Sequence, residues 1–135
     1  MAFVKQIVSD NWTHTGNDRE ETAFQSVDQA LRAVRSLNGR NRTQIFLEGD
    51  GRLLMIGGGN NGCYSVQIIV GQDEAFYTLT NPASREDREV EIVTGGQAGM
   101  FPESQCVDLN SAIEAVREFV ASGQPSKSGT WEHEE

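Results

Sequence analysis

The sequence predicts an α+β fold: a single antiparallel meander sheet of five or six strands, with two amphipathic helices packed on one face. Three observations point there. Two segments repeat apolar residues at helical spacing. Several others alternate apolar and polar residues with a period of two. The two-period segments follow one another across short turns, whereas parallel neighbours need crossovers of about a dozen residues or more.

Each element has its own local signal. Residues 3–8 alternate weakly and read as the first strand, and the polar stretch 9–22 reads as a loop. A helix is predicted over 26–37. Ser26 caps it and Gln29 completes a capping box, while Val27, Ala30, Leu31, Val34 and Leu37 share one face. Asn38-Gly39 supplies the stop, since both residues tolerate left-handed backbone. The meander occupies 43–94, with strands at 44–48, 52–56, 63–70, 75–80 and 89–94. Gly49-Asp50-Gly51, Gly57–Gly62, Gly71–Glu74 and the polar loop Asn81–Arg88 connect them. Gly95-Gly96-Gln97-Ala98-Gly99 breaks the sheet. Asp108 caps a second helix over 109–122, which buries Leu109, Ala112, Ile113, Val116, Phe119 and Val120 before Gly123 and Pro125 end it. The tail 123–135 is polar apart from Trp131. Residues 1–135 read as one domain, because no linker or internal repeat divides them.

Composition narrows the function. Twenty acidic residues face eleven Lys and Arg, for a net charge of −9. Such a surface disfavours nucleic acid and anionic membranes, which bind through Lys and Arg. It favours encounter with a basic protein. No apolar run approaches the ~20 residues of a membrane helix, and the first ten residues lack a signal-peptide h-region. The expectation is a cytoplasmic protein. Cys63 and Cys106 each begin an apolar stretch and read as buried free thiols.

No constellation for catalysis emerges. Gly57-x-Gly59-x-x-Gly62 matches a dinucleotide fingerprint, but a β-branched strand follows it where a helix N-terminus would have to hold the pyrophosphate. It reads as a hairpin loop with glycines at positive φ. The two histidines, His14 and His133, stand near opposite ends, and no Cys/His spacing suits zinc. No HExxH, GxSxG or P-loop is present. The reading is therefore a non-enzyme with no catalytic residue, cofactor or metal. Arg32, Arg35, Arg40 and Arg42 gather near the end of the first helix. They leave open an alternative, a small ligand- or nucleic-acid-binding module, against the plainer view that they are solvated cations at a helix C-terminus. Trp12 and Trp131 lie in polar surroundings, as interface anchors or as side chains docked back on the fold.

From Thr43 onward the chain resembles the first immunity-protein family of bacterial polymorphic toxin systems. The resemblance rests on Leu53-Leu54-Met55-Ile56-Gly57-Gly58-Gly59-Asn60-Asn61-Gly62 and on Gly95-Gly96-Gln97. It rests also on the closing run from Val107-Asp108-Leu109 through Ala112, Ala115 and Phe119 to Gly123-x-Pro125 and Trp131-Glu132. It implies a small cytoplasmic α+β protein that binds and neutralises a cognate toxin domain, commonly a nucleic-acid deaminase. Partner contacts vary with the toxin, so the resemblance assigns none.

Contacts are expected instead from topology. In a meander the turns at Gly49–Gly51 and Gly71–Glu74 share one end of the sheet. That end, with the Gly95–Phe101 segment added, collects Glu48, Asp50, Asp73, Glu74 and Glu103 against Arg52. The other end mixes Arg40, Arg42, Arg85 and Arg88 with Glu86 and Asp87. A basic toxin in a 1:1 complex should meet the acidic end, with Glu48, Asp50, Asp73 and Glu74 as partner-binding residues.

Overall fold

The computed structural model describes residues 2–84 and 87–135. The strands are β1 (Val4–Ser9), β2 (Trp12–Thr13), β3 (Gly16–Asn17), β4 (Glu20–Ala23), β5 (Gln44–Gly49), β6 (Arg52–Gly58), β7 (Tyr64–Val70), β8 (Ala75–Thr80), β9 (Glu89–Thr94), β10 (Gln97–Pro102) and β11 (Thr130–Glu134). The helices are α1 (Val27–Arg35) and α2 (Leu109–Ser122). The architecture is α+β with a large antiparallel sheet, as expected, but that sheet has seven strands rather than five or six. Their order is β11-β8-β7-β6-β5-β1-β4. Every pair in it is antiparallel.

The core follows from strand alternation. Ile7, Leu47, Leu54 and Ile68 oppose one another across four adjacent strands, and Ile45, Ile56 and Val66 form a parallel row. All are buried in one cluster with Ala30, Leu31 and Val34 of α1 and Ala112, Val116 and Phe119 of α2. The two helices touch each other on this inner face. Both start where the sequence places their caps: Ser26 Oγ accepts from the Gln29 N–H at 3.2 Å, and Asp108 Oδ1 from the Ser111 N–H at 2.8 Å. The second bond, together with a hydrogen bond from the Ser111 side chain, holds the Asp108 carboxyl below its usual range. Gly123 ends α2 at φ 74°. The first helix ends two residues before the expected 37. Ser36 already caps it, and Leu37 is buried just beyond.

Four expectations are corrected. The stretch 9–22 is not a loop: β2 and β3 make a small hairpin within it, and β4 pairs with β1 as an edge strand. All four residues of β4 are exposed, so it has no buried face for an alternation to reveal. The strand at 89–94 forms but leaves the main sheet and pairs with β10, so Gly95-Gly96 is a hairpin turn rather than a break. The tail supplies β11, which pairs with β8. Trp131 sits opposite Leu79 there, with its Nε1–H donating to the Ser126 carbonyl at 3.0 Å. Finally, Cys63 and Cys106 are joined in a disulfide rather than free. Their neighbours Tyr64 and Val107 exchange backbone hydrogen bonds at 3.0 and 2.9 Å, which sets the two Cα atoms 5.2 Å apart.

Candidate functional site

The two turns expected to share an end of the sheet do so. The Gly71 N–H donates to the Gly51 carbonyl at 2.8 Å, tying one turn to the other. Gly51 and Gly71 take φ of 70° and 64°. Asp73 also adopts a left-handed φ of 60°, a conformation in which Asp and Asn are enriched among non-glycine residues. Glu48 stands on β5 opposite Leu53, while Asp50, Asp73 and Glu74 are exposed in the turns. Glu48 and Asp73 line one shallow hollow of about 330 Å³, whose walls include Leu53 and Ile69. The carboxylate of Glu74 folds over Gly71, where a Cβ would meet it. Arg52 borders the hollow, but its guanidinium donates to the Gly123 carbonyl at 3.1 Å, toward the helix side. Among the described residues, none of these four acids engages in a side-chain hydrogen bond or ion pair.

The other end is built differently. Asp10 is 6% exposed, and its carboxylate collects the backbone N–H groups of Thr43 (2.8 Å) and Gln44 (3.0 Å), the Trp12 indole N–H (2.8 Å) and the Thr43 hydroxyl. The Thr43 hydroxyl oxygen in turn accepts from the Gly96 N–H at 2.9 Å. Trp12 lies against Gly96, where a Cβ would overlap the indole. Thus the Gly95–Phe101 segment belongs to this end and not, as expected, to the acidic one. Glu103 goes with it and pairs with Arg88 at 3.4 Å. Of the residues assigned to this second end, Arg85 and Glu86 lie outside the described residues.

The glycine-rich loop Gly57–Gly62 is here too. Gly58, Gly59 and Gly62 have positive φ, and a Cβ on Gly59 would overlap the backbone of Leu37. The loop closes in a single 3-10 turn and runs on into β7, so it offers no long helix N-terminus to a pyrophosphate. In the arginine cluster, both terminal nitrogens of Arg42 donate to Glu20, at 2.8 and 3.1 Å. That contact lowers the Glu20 pKa and raises that of Arg42. Part of the basic patch is therefore spent on an internal pair. Among the described residues, no group of three or more His, Cys, Asp or Glu could hold a metal ion, and no helix is long and apolar enough to cross a membrane.

Sequence reasoning missed one feature of the acidic end: apolar side chains stand beside its carboxylates on the uncovered side of the sheet. The signal lay in Arg52-Leu53-Leu54-Met55-Ile56, a run without alternation. In an antiparallel strand such a run puts apolar groups on both faces. The family model for the immunity protein Imm1 matches residues 15–133 of the chain. A search of curated proteins finds no match.

Proposed function

The chain belongs to the Imm1 family of immunity proteins, and from that premise we propose that it binds and inhibits one cognate bacterial toxin domain in a 1:1 complex in the cytoplasm, without turnover chemistry of its own. The toxin we propose is a nucleic-acid-targeting enzyme such as a deaminase. An enzyme of that kind presents a positive cleft to phosphate, and an acidic protein surface competes for it. The observation that carries this reading is the joined pair of turns, where Glu48, Asp50, Asp73 and Glu74 are gathered at one end of the sheet with no ion pair among the described residues. Four carboxylates left free within a fold of net charge −9 make a focused negative patch. We assign these four as partner contacts.

The test is the quadruple variant Glu48→Lys, Asp50→Lys, Asp73→Lys, Glu74→Lys, checked for wild-type folding by circular dichroism. Its partner is a catalytically disabled cognate toxin domain. Charge reversal at an interface rim slows association and flattens its salt dependence. A variant that binds and protects cells like wild type, at low and high salt alike, puts the contact elsewhere. Hydrolytic or deaminating activity that survives repurification and is lost with one point mutation refutes the non-enzymatic role.

A further inference from the structure

The helices cover one face of the main sheet, and the strand register defines the other. Val8 lies opposite Phe46, Phe46 opposite Met55, and Met55 opposite Gln67. Leu53 lies opposite Ile69, and Ile69 opposite Phe76. On this outer face Phe46, Leu53, Met55, Ile69 and Phe76 are all partly exposed. They form one continuous apolar band across β5, β6, β7 and β8.

Among the described residues, the fold covers one end of this face with itself. Thr94 of β9 stands over Gly57, where a Cβ would overlap its side chain. Ile92 and Val8 are buried outside the main cluster. Beyond that hairpin the band is open and runs into the hollow lined by Glu48, Leu53, Ile69 and Asp73.

Apart from the Arg19–Glu21 pair, the charges that the strand pairings place on this face are acidic. Alternation along β11 puts Glu132 opposite Thr78 and Glu134 opposite Phe76, both on the outer side. With Glu48 on β5 they bracket the band, and Glu21 on β4 is neutralised by Arg19 at 2.8 Å. Among the described residues of β4, β5, β6, β7, β8 and β11, no Lys or Arg occupies an outer-face position, and Lys5 of β1 stands exposed at the bulge between Val4, which faces the core, and Gln6. An apolar centre inside an acidic rim is the mirror of a surface with an apolar knob inside a basic ring. A second copy of this chain would bring acid against acid, and a phosphate backbone would meet the same repulsion.

We propose that this outer face, centred on Leu53, Met55 and Ile69 and bounded by Glu48, Glu132 and Glu134, receives the toxin domain through an apolar side chain flanked by Lys or Arg. The inference rests on the toxin-binding function proposed above and extends its contact surface from the turn carboxylates onto the sheet.

The experiment uses full-length protein with methyl-labelled methionine and the disabled toxin domain. On saturation, the Met55 methyl resonance should shift. Ile69→Lys, at a partly exposed position, should weaken binding about thirtyfold or more, the loss typical of a central hot spot. The helix-face control Glu114→Lys should bind as wild type does. Should Ile69→Lys fail to fold, the wild-type Met55 resonance alone decides. If the toxin domain binds but the Met55 resonance does not move, or if folded Ile69→Lys binds like wild type, the face is refuted while the toxin-binding function stands. A Met55 shift that tracks the protein's own concentration without toxin refutes the choice of occupant. Absence of any binding by wild type overturns both.

Discussion

At one end of the main sheet, Asp10 receives hydrogen bonds from Trp12, Thr43 and Gln44, and Thr43 passes the chain on to Gly96. At the other end, Glu48, Asp50, Asp73 and Glu74 take part in no side-chain hydrogen bond among the described residues. Both ends are glycine-bearing turns with short polar side chains, yet one carboxylate is committed inward and four are left to solvent. The difference teaches where the fold invests its polar groups. Buried polar groups must be satisfied by the fold itself, so the Asp10 end is structural. Exposed carboxylates contribute little to stability, so the turn end is free to be shaped by a partner.

The largest expected effect also lies at the structural end. The disulfide between Cys63 and Cys106 closes a loop of 43 residues' separation that contains β7 to β10. In the chain-entropy account, closing a loop of that length is worth about 4 kcal/mol. Urea unfolding with and without dithiothreitol should show a loss of that order. Equal midpoints would mean that the backbone pairing of Tyr64 with Val107 fixes this region by itself. In a reducing compartment the bond opens, and that pairing is what remains to hold it.

Next comes Asp10→Ala. It strands the N–H groups of Thr43, Gln44 and Trp12 with no partner, and each unsatisfied donor costs about 1–3 kcal/mol. Some donors recover water, so a total loss of about 3 kcal/mol is expected in the unfolding free energy. Asp50→Ala or Asp73→Asn, made at the other end, should stay within about 0.5 kcal/mol. If Asp10→Ala proves equally mild, the contrast between the ends fails.

How much of this contrast could be read in the sequence depended on whether the signal was local. The bounds of α2 follow from Asp108 and Gly123, two residues that act on their own turn, and the structure keeps both. The pairing of the Gly49–Gly51 and Gly71–Glu74 turns follows from short loops and a period of two. The Asp10 centre needs Ser9 opposite Ile45 and Gly96 beside Thr43, contacts between segments more than thirty residues apart that no local pattern encodes. The same holds for the pairing of β9 with β10 outside the main sheet, since alternation marks a strand without naming its neighbour. β4 was illegible because both its faces are wet. β11 was legible in principle. Thr130-Trp131-Glu132-His133-Glu134 alternates, and His133 stacks on Tyr77 with ring centroids 4.3 Å apart.

A smaller effect should come from Thr94, above Gly57. Its hydroxyl is buried and has no hydrogen-bond partner among the described residues. Replacing an unsatisfied hydroxyl with a methyl of similar size removes a desolvation penalty. Thr94→Val should therefore raise the unfolding free energy by about 1 kcal/mol, read as a higher melting temperature. A drop of similar size would show that the hydroxyl is satisfied by water in solution.

The smallest effect expected is at the pair that borders the Asp10 end, Glu20 with Arg42. Its side chains are 47% and 27% exposed, so solvent screens most of the attraction and the net worth is about 0.3 kcal/mol. The sign is fixed by the shift. Hydrogen bonds from Arg42 lower the Glu20 pKa below its unfolded value. The stabilisation is therefore complete above the ordinary carboxylate range and is lost as the pH falls through the lowered pKa. Glu20→Gln should cost this small amount near neutrality, and the gap between variant and wild type should close in strong acid. High salt should narrow it too, because an exposed pair is screened. If the gap keeps its size in strong acid, what Glu20 contributes is the packing of its side chain beside β1 and not its charge.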